Sequence, residues 1–231
     1  MNLNKKILIS LLAFLVSTFS FSEELLLKNA KIHTATDKGT LENTDILIRD
    51  GIIVRIGKKI VSSRAEERDL SGTVISPGLI APQTQLGIVE IELIPETRDD
   101  RSDIYSAGLS IDSAFNPSST LIPYNLTGGV TLSLTSPSSS GLFSGLTSAF
   151  SLSGSLDESL IHSNIALSSN ISGGEDSMAA KIQLLVDSLT LSSFFEPNEC
   201  LEMHHNKSSL PDGVNYSCRD LFALKKVVDK K

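Results

Sequence analysis

The stretch Ser76-Pro77-Gly78-Leu79-Ile80-Ala81-Pro82-Gln83-Thr84-Gln85-Leu86-Gly87 constrains the fold more than any other part of the chain. Pro-Gly is a turn pair, and Leu79 and Ile80 directly after it read as entry into a buried strand. Side chains alternate across a strand with period two, so Gln83 and Gln85 are expected on one face of its far end.

Upstream, short apolar runs are broken by turn residues: Leu25-Leu26-Leu27, Lys31-Ile32-His33, Asp45-Ile46-Leu47-Ile48 and Ile52-Ile53-Val54-Arg55-Ile56. Asp50-Gly51, between the last two, is the strongest short-range signal for a tight hairpin. The pattern predicts a small antiparallel β unit. His33 falls inside it, far from Gln83, and reads as a surface or satisfied core histidine.

Together these stretches resemble the amidohydrolase superfamily, the metal-dependent hydrolases that include imidazolonepropionase and dihydroorotase. The likeness to that family's N-terminal β-sandwich segment covers residues 26–57, then resumes at Leu70 and runs into Ser76-Pro77-Gly78. Members carry Pro-Gly-Leu-Ile-Asp-x-His-x-His at the end of the first strand of a (β/α)8 barrel, where both histidines bind the catalytic metal. Here Pro77, Gly78, Leu79 and Ile80 match, Ala81 stands in place of the aspartate, and Gln83 and Gln85 in place of the histidines.

The resemblance implies an α/β fold: a small N-terminal β-sandwich segment over residues 23–75, then an incomplete (β/α)8 TIM-type barrel over residues 76–231 with about its first three strands. It implies hydrolysis of non-peptide carbon-nitrogen (amide) bonds, with zinc or another divalent metal as the family cofactor. An imidazole nitrogen is a strong zinc donor and a neutral carboxamide oxygen a poor one. No cofactor is therefore expected from this chain, and no catalytic residue or metal ligand is named. The residues leave open whether the chain is an enzyme.

Beyond Gly87, Glu90 and Glu92 and the run Arg98-Asp99-Asp100-Arg101 predict a solvated loop, since a carboxylate pair lacks a third donor. Asn116-Pro117 offers a helix start, residues 118–126 a short body and Gly128-Gly129 a stop. Val130-Thr131-Leu132-Ser133-Leu134 reads as a strand and is similar to the family's second barrel strand. Ser136-Pro137-Ser138-Ser139-Ser140-Gly141 reads as a linker, with no His or Lys close enough in sequence to activate a serine. Residues 142–152 predict a further β unit. Ile165-Ala166-Leu167-Ser168 predicts a third barrel strand, and residues 175–191 an amphipathic helix completing a β/α repeat. A last amphipathic helix is expected over residues 219–230, with its basic residues near the end.

Lys5 and Lys6 precede an uncharged, largely apolar run over residues 7–22, which has the layout of a secretory signal peptide and is short for a membrane span. An uncleaved anchor is the alternative. Cleavage predicts a secreted or periplasmic protein with no membrane association, and its charge moves from -7 to 18 basic minus 27 acidic residues, or -9. So acidic a chain, without a Lys/Arg cluster, argues against nucleic acid as a partner. In an oxidising compartment Cys200 and Cys218 are a disulfide candidate. Cys200, His204, His205 and Cys218 match no standard zinc spacing.

A full barrel takes about 250 residues by itself, so the chain of 231 is expected to be truncated and inactive alone. Expected partners are a second polypeptide completing the barrel, or self-association through open strand edges. The alternatives are a non-catalytic periplasmic binding or structural module, and an enzyme of other chemistry built on the serine-rich loop.

Overall fold

The computed structural model describes residues 23–139, 141–154, 156–172, 176–196 and 216–229. The chain forms two compact units that meet in sequence at Pro77 and Gly78.

The first unit is built on a sheet ordered β3-β2-β1-β4, with β5 also pairing β1. Its strands are β1 (Glu24–His33), β2 (Thr40–Arg49), β3 (Ile52–Gly57), β4 (Glu66–Asp69) and β5 (Val74–Ile75). Asp50 and Gly51 join β2 to β3 with φ of 49° and 77°, the doubly left-handed turn that an Asp-Gly pair accommodates at low cost. The unit is not wholly antiparallel as expected: β4 and β5 both run parallel to β1 and pair with successive parts of it. Leu26, Leu47 and Ile60 form one core cluster and Ala30, Ile32 and Ile46 another. Asp45 is buried among them and satisfied, its carboxylate accepting from the Asn29 and Ile60 amides at 3.0 and 2.9 Å. His33 is exposed and its Nδ1 meets the Thr40 hydroxyl at 2.9 Å, in line with a surface role.

The second unit has a four-stranded sheet ordered β6-β7-β8-β9, made of β6 (Leu79–Thr84), β7 (Val130–Thr135), β8 (Phe143–Ser151) and β9 (Leu160–Ser169). Its helices are α1 (Leu121–Thr127), α2 (Leu156–Ser159), α3 (Met178–Ser193) and α4 (Cys218–Val228). β6 and β7 run parallel, joined through α1, which is the β/α unit the sequence predicts. β8 then returns antiparallel to β7, and β9 antiparallel to β8. The parallel β/α pattern therefore stops at β7, and no closed barrel is formed by the described residues. The strand read as a third repeat, β9, does point the same way as β7, but β8 lies between them. The cause is the short link over residues 136–142, since a parallel crossover takes a dozen residues or more.

The expectation of a buried first strand is also corrected. β6 is the sheet edge, and Leu79 and Ile80 are 60% and 57% exposed. The core lies on the other side of the turn after this strand, where Leu86, Ile88, Ile111, Phe115, Ile122, Phe150 and Leu152 pack together. Phe115 and Phe150 stack there with ring centres 3.9 Å apart. A second cluster joins Ala107, Leu142 and Phe143 to Ala223 and Leu224 of α4. α4 begins with a capping box in which Ser217 and Asp220 satisfy each other's backbone amides. Asp220 also reaches outward, its Oδ1 accepting from the Ser106 and Gly108 amides at 2.9 and 2.7 Å.

Candidate functional site

β6 ends at Thr84, opposite Thr135 of β7, and the Ser136 amide donates to the Thr84 carbonyl at 2.8 Å. The chain then turns sharply, with the Ile88 and Val89 amides both donating to the Gln85 carbonyl at 3.0 and 3.1 Å. Residues 90–98 fold back on themselves around Thr97. Its hydroxyl donates to the Ile91 and Ile94 carbonyls, each at 2.9 Å, and its carbonyl accepts from the Glu90 amide at 3.1 Å. The fold-back brings Glu90, Glu92 and Arg98 around the end of β6. With Thr84, Gln85 and Asn125 of α1 they line a cavity of about 320 Å³, whose apolar wall is Leu86, Val89 and Leu121.

The charged groups here are fixed by neighbours. Glu90 accepts from the Asn116 side-chain amide at 3.1 Å and from the Ser119 hydroxyl at 2.9 Å. The Arg98 guanidinium donates to both carboxylate oxygens of Asp100, at 3.1 and 2.9 Å, and to the Glu92 carbonyl at 2.8 Å. Asp100 is fully buried and also accepts the Ser138 hydroxyl. Burial pushes its carboxyl up, but the bonds from Arg98 and Ser138 outweigh that and hold it below the ordinary carboxylate range. The same pairing with Asp100 raises the Arg98 guanidinium.

The reading of residues 90–101 as a solvated loop is thus corrected at Glu90 and Asp100, while Glu92 and Asp99 are exposed. The serine-rich loop is not a linker. Ser136 is buried and shares a hydrogen bond with the Thr147 hydroxyl at 2.8 Å, and Ser138 is tied to Asp100 through its hydroxyl and, at 2.9 Å, through its amide. A second carboxylate–serine cluster gave no sequence signal: Asp112 accepts the hydroxyls of Ser148 and Ser163, which come from β8 and β9. Such pairs form only after the strands are placed, so no local pattern marks them.

Gln83 and Gln85 do not behave as a same-face pair. The β6–β7 register slips between Ala81 and Thr84, and Gln83 sits at φ 50°, which breaks the alternation. Gln83 is exposed, whereas Gln85 lies past the strand end and lines the cavity. The family's zinc does not fit this donor set. A neutral carboxamide is a poor zinc ligand, its companion is outside the cavity, and the described residues contain no group of three or more His, Cys, Asp or Glu placed for a metal. Cys218 opens α4, while Cys200, His204, His205 and the signal-peptide candidate lie outside the described residues. No described helix is long and apolar enough to cross a membrane.

No protein-family model matches the chain. The D-hydantoinase of Geobacillus stearothermophilus is 37% identical over 102 residues, covering 44% of this chain and 20% of that protein. The dihydroorotase of Bacillus cytotoxicus is 43% identical over 44 residues, covering 19% of this chain and 10% of that one. The chain therefore spans no more than a fifth of these relatives. In structure, an amidohydrolase from Thermotoga maritima MSB8 superposes on 88% of this chain and 55% of its own, with a TM-score of 0.67 at 18% identity, a likeness of fold. Sequence likeness and fold agree over the matched part of the chain, and together they support membership of the amidohydrolase superfamily for that part.

Proposed function

We propose that this protein is an exported amidohydrolase-like member of the hydrolases of non-peptide carbon-nitrogen bonds, and that it does not turn over substrate unaided. One observation carries the reading. The cavity at the end of β6 is where a barrel of this family gathers its chemistry, and only one of the two carboxamides that replace the family's histidines, Gln85, reaches it. Metal-assisted hydrolysis needs a bound ion to polarise a carbonyl or to make hydroxide from water at neutral pH. The donors at this cavity are carboxylates, carboxamides and a guanidinium that is already paired.

Association with a second polypeptide, or with another copy, belongs to the same proposal. It is supported by the apolar residues on both open edges of the sheet, Leu79 and Ile80 on β6 and Leu160, Ile161 and Ile165 on β9. The second reading, a non-catalytic binding module, is favoured by the intact cavity with its fixed charges. Zinc analysis of the purified native chain and assays with hydantoins and dihydroorotate test the proposal. The expected result is no stoichiometric zinc and no turnover. Tightly held zinc at the end of β6, or hydrolysis by the chain alone, overturns it.

A further inference from the structure

The two ends of the first unit's sheet are built in opposite ways. At one end β4 reads Glu66-Glu67-Arg68-Asp69, all exposed, and charges of this kind keep further strands off a sheet edge. At the other end β3 reads Ile52-Ile53-Val54-Arg55-Ile56-Gly57. Its four large apolar side chains are all exposed, Ile52 to 67%, and Arg55 is the strand's only charge. It has no proline to block a further ladder. The β2–β3 register slips between Leu47 and Ile48, which leaves Val54 opposite no residue of β2. Just beyond the two ends of β3 stand opposite charges: Asp50, whose carboxylate accepts from the Glu23 amide at 3.2 Å, and Lys58, which is exposed and makes no ion pair among the described residues.

We propose that β3 pairs antiparallel with the β3 of a second copy of this chain, on a twofold axis at Val54, joining two first-unit sheets into one. Identical strands paired this way about an axis normal to the sheet must have one residue facing itself. With Val54 in that place, Ile52 faces the partner's Ile56 and Asp50 faces the partner's Lys58, and symmetry repeats both pairs. Charge selects this register. An axis at Arg55 sets two guanidiniums against each other, and an axis at Ile53 sets Asp50 against the partner's Ile56 and leaves Lys58 without its acid. A six-residue strand gives a short interface, so the dimer is of the transient, concentration-dependent class. The inference goes beyond the proposed function, since it concerns the first unit and stands whether or not the edges of the second unit take a partner.

The test is sedimentation equilibrium of the full chain over a range of concentrations, with isotope-filtered methyl NOEs on a mixture of labelled and unlabelled protein. A reversible dimer is expected, with NOEs between Ile52 of one copy and Ile56 of the other. Val54→Lys sets two ammonium groups together on the axis and should weaken the dimer at least about tenfold, while Val54→Ile keeps it. Lys58→Glu sets two carboxylates against Asp50, one at each end, and should weaken it about fivefold. Both positions are exposed, and circular dichroism checks that the variants stay folded. Ile161→Lys alters β9 in the second unit instead and should leave the dimer unchanged. A chain that stays monomeric, open-ended aggregates in place of a dimer, an unchanged affinity in Val54→Lys or Lys58→Glu, or loss of the dimer in Ile161→Lys each overturns the proposal. Zinc retention and turnover bear on the proposed function alone.

Discussion

Replacing Asp220 by alanine removes one carboxylate that ties three pieces of the second unit together. The side chain is 1% exposed. Its Oδ1 accepts from the Ser106 and Gly108 amides, and its Oδ2 from the Ser217 amide at 3.0 Å and the Ser217 hydroxyl at 2.6 Å. Each buried N–H left without a partner costs about 1–3 kcal/mol, and losing the helix cap costs about 1 kcal/mol more. Two stranded amides plus the cap put Asp220→Ala at about 4 kcal/mol, a large share of the stability of a domain. Ser217→Ala removes only the capping half and is expected to cost about 1 kcal/mol. Urea denaturation monitored by far-UV circular dichroism measures both, and hydrogen exchange at the Ser106 and Gly108 amides localises the loss. If Asp220→Ala costs no more than Ser217→Ala, or leaves exchange at those two amides unchanged, the bonds from α4 to residues 106–108 are not what holds that helix.

Further outcomes are expected elsewhere. Gly108→Ala places a methyl group 2.6 Å from the Arg219 carbonyl and should lower stability by about 1–3 kcal/mol in the same denaturation assay. Asp100 has a depressed folded pKa, so its contribution is present above the unfolded value of 3.8 and is lost as pH falls below it. An acid titration monitored by circular dichroism should therefore show a transition below about pH 4 that Asp100→Asn flattens. Non-reducing peptide mapping of exported protein is expected to join the peptides carrying Cys200 and Cys218, and the joined species should vanish on reduction.

Much of the local structure is legible in the order of residues. The Asp50-Gly51 turn comes from the left-handed φ that this pair tolerates. The β/α step from β6 through α1 to β7 comes from Pro-Gly, Gly128-Gly129 and the β-branched run after them. α3 and α4 fall within a few residues of where their apolar spacing places them. The direction of β8 was also present, in a link over residues 136–142 that is too short for a parallel crossover, but family likeness masks it.

Residue order did not carry the identity of the polar groups that leave water. Asp100 lies in a run of charges that reads as surface, yet it is buried, paired with its near neighbour Arg98 and bonded by Ser138 from a distant part of the chain. Asp220 reads as an N-terminal helix acid and becomes a bridge to residues 106–108. Gln83 and Gln85 are two apart, and the slip in the β6–β7 register sends them to different places. Turns and helices are dihedral preferences of neighbouring residues and are therefore written locally. Burial of these two carboxylates also draws on donors distant in sequence, Ser138 for Asp100 and the Ser106 and Gly108 amides for Asp220, and their arrival is settled only when strands and helices pack.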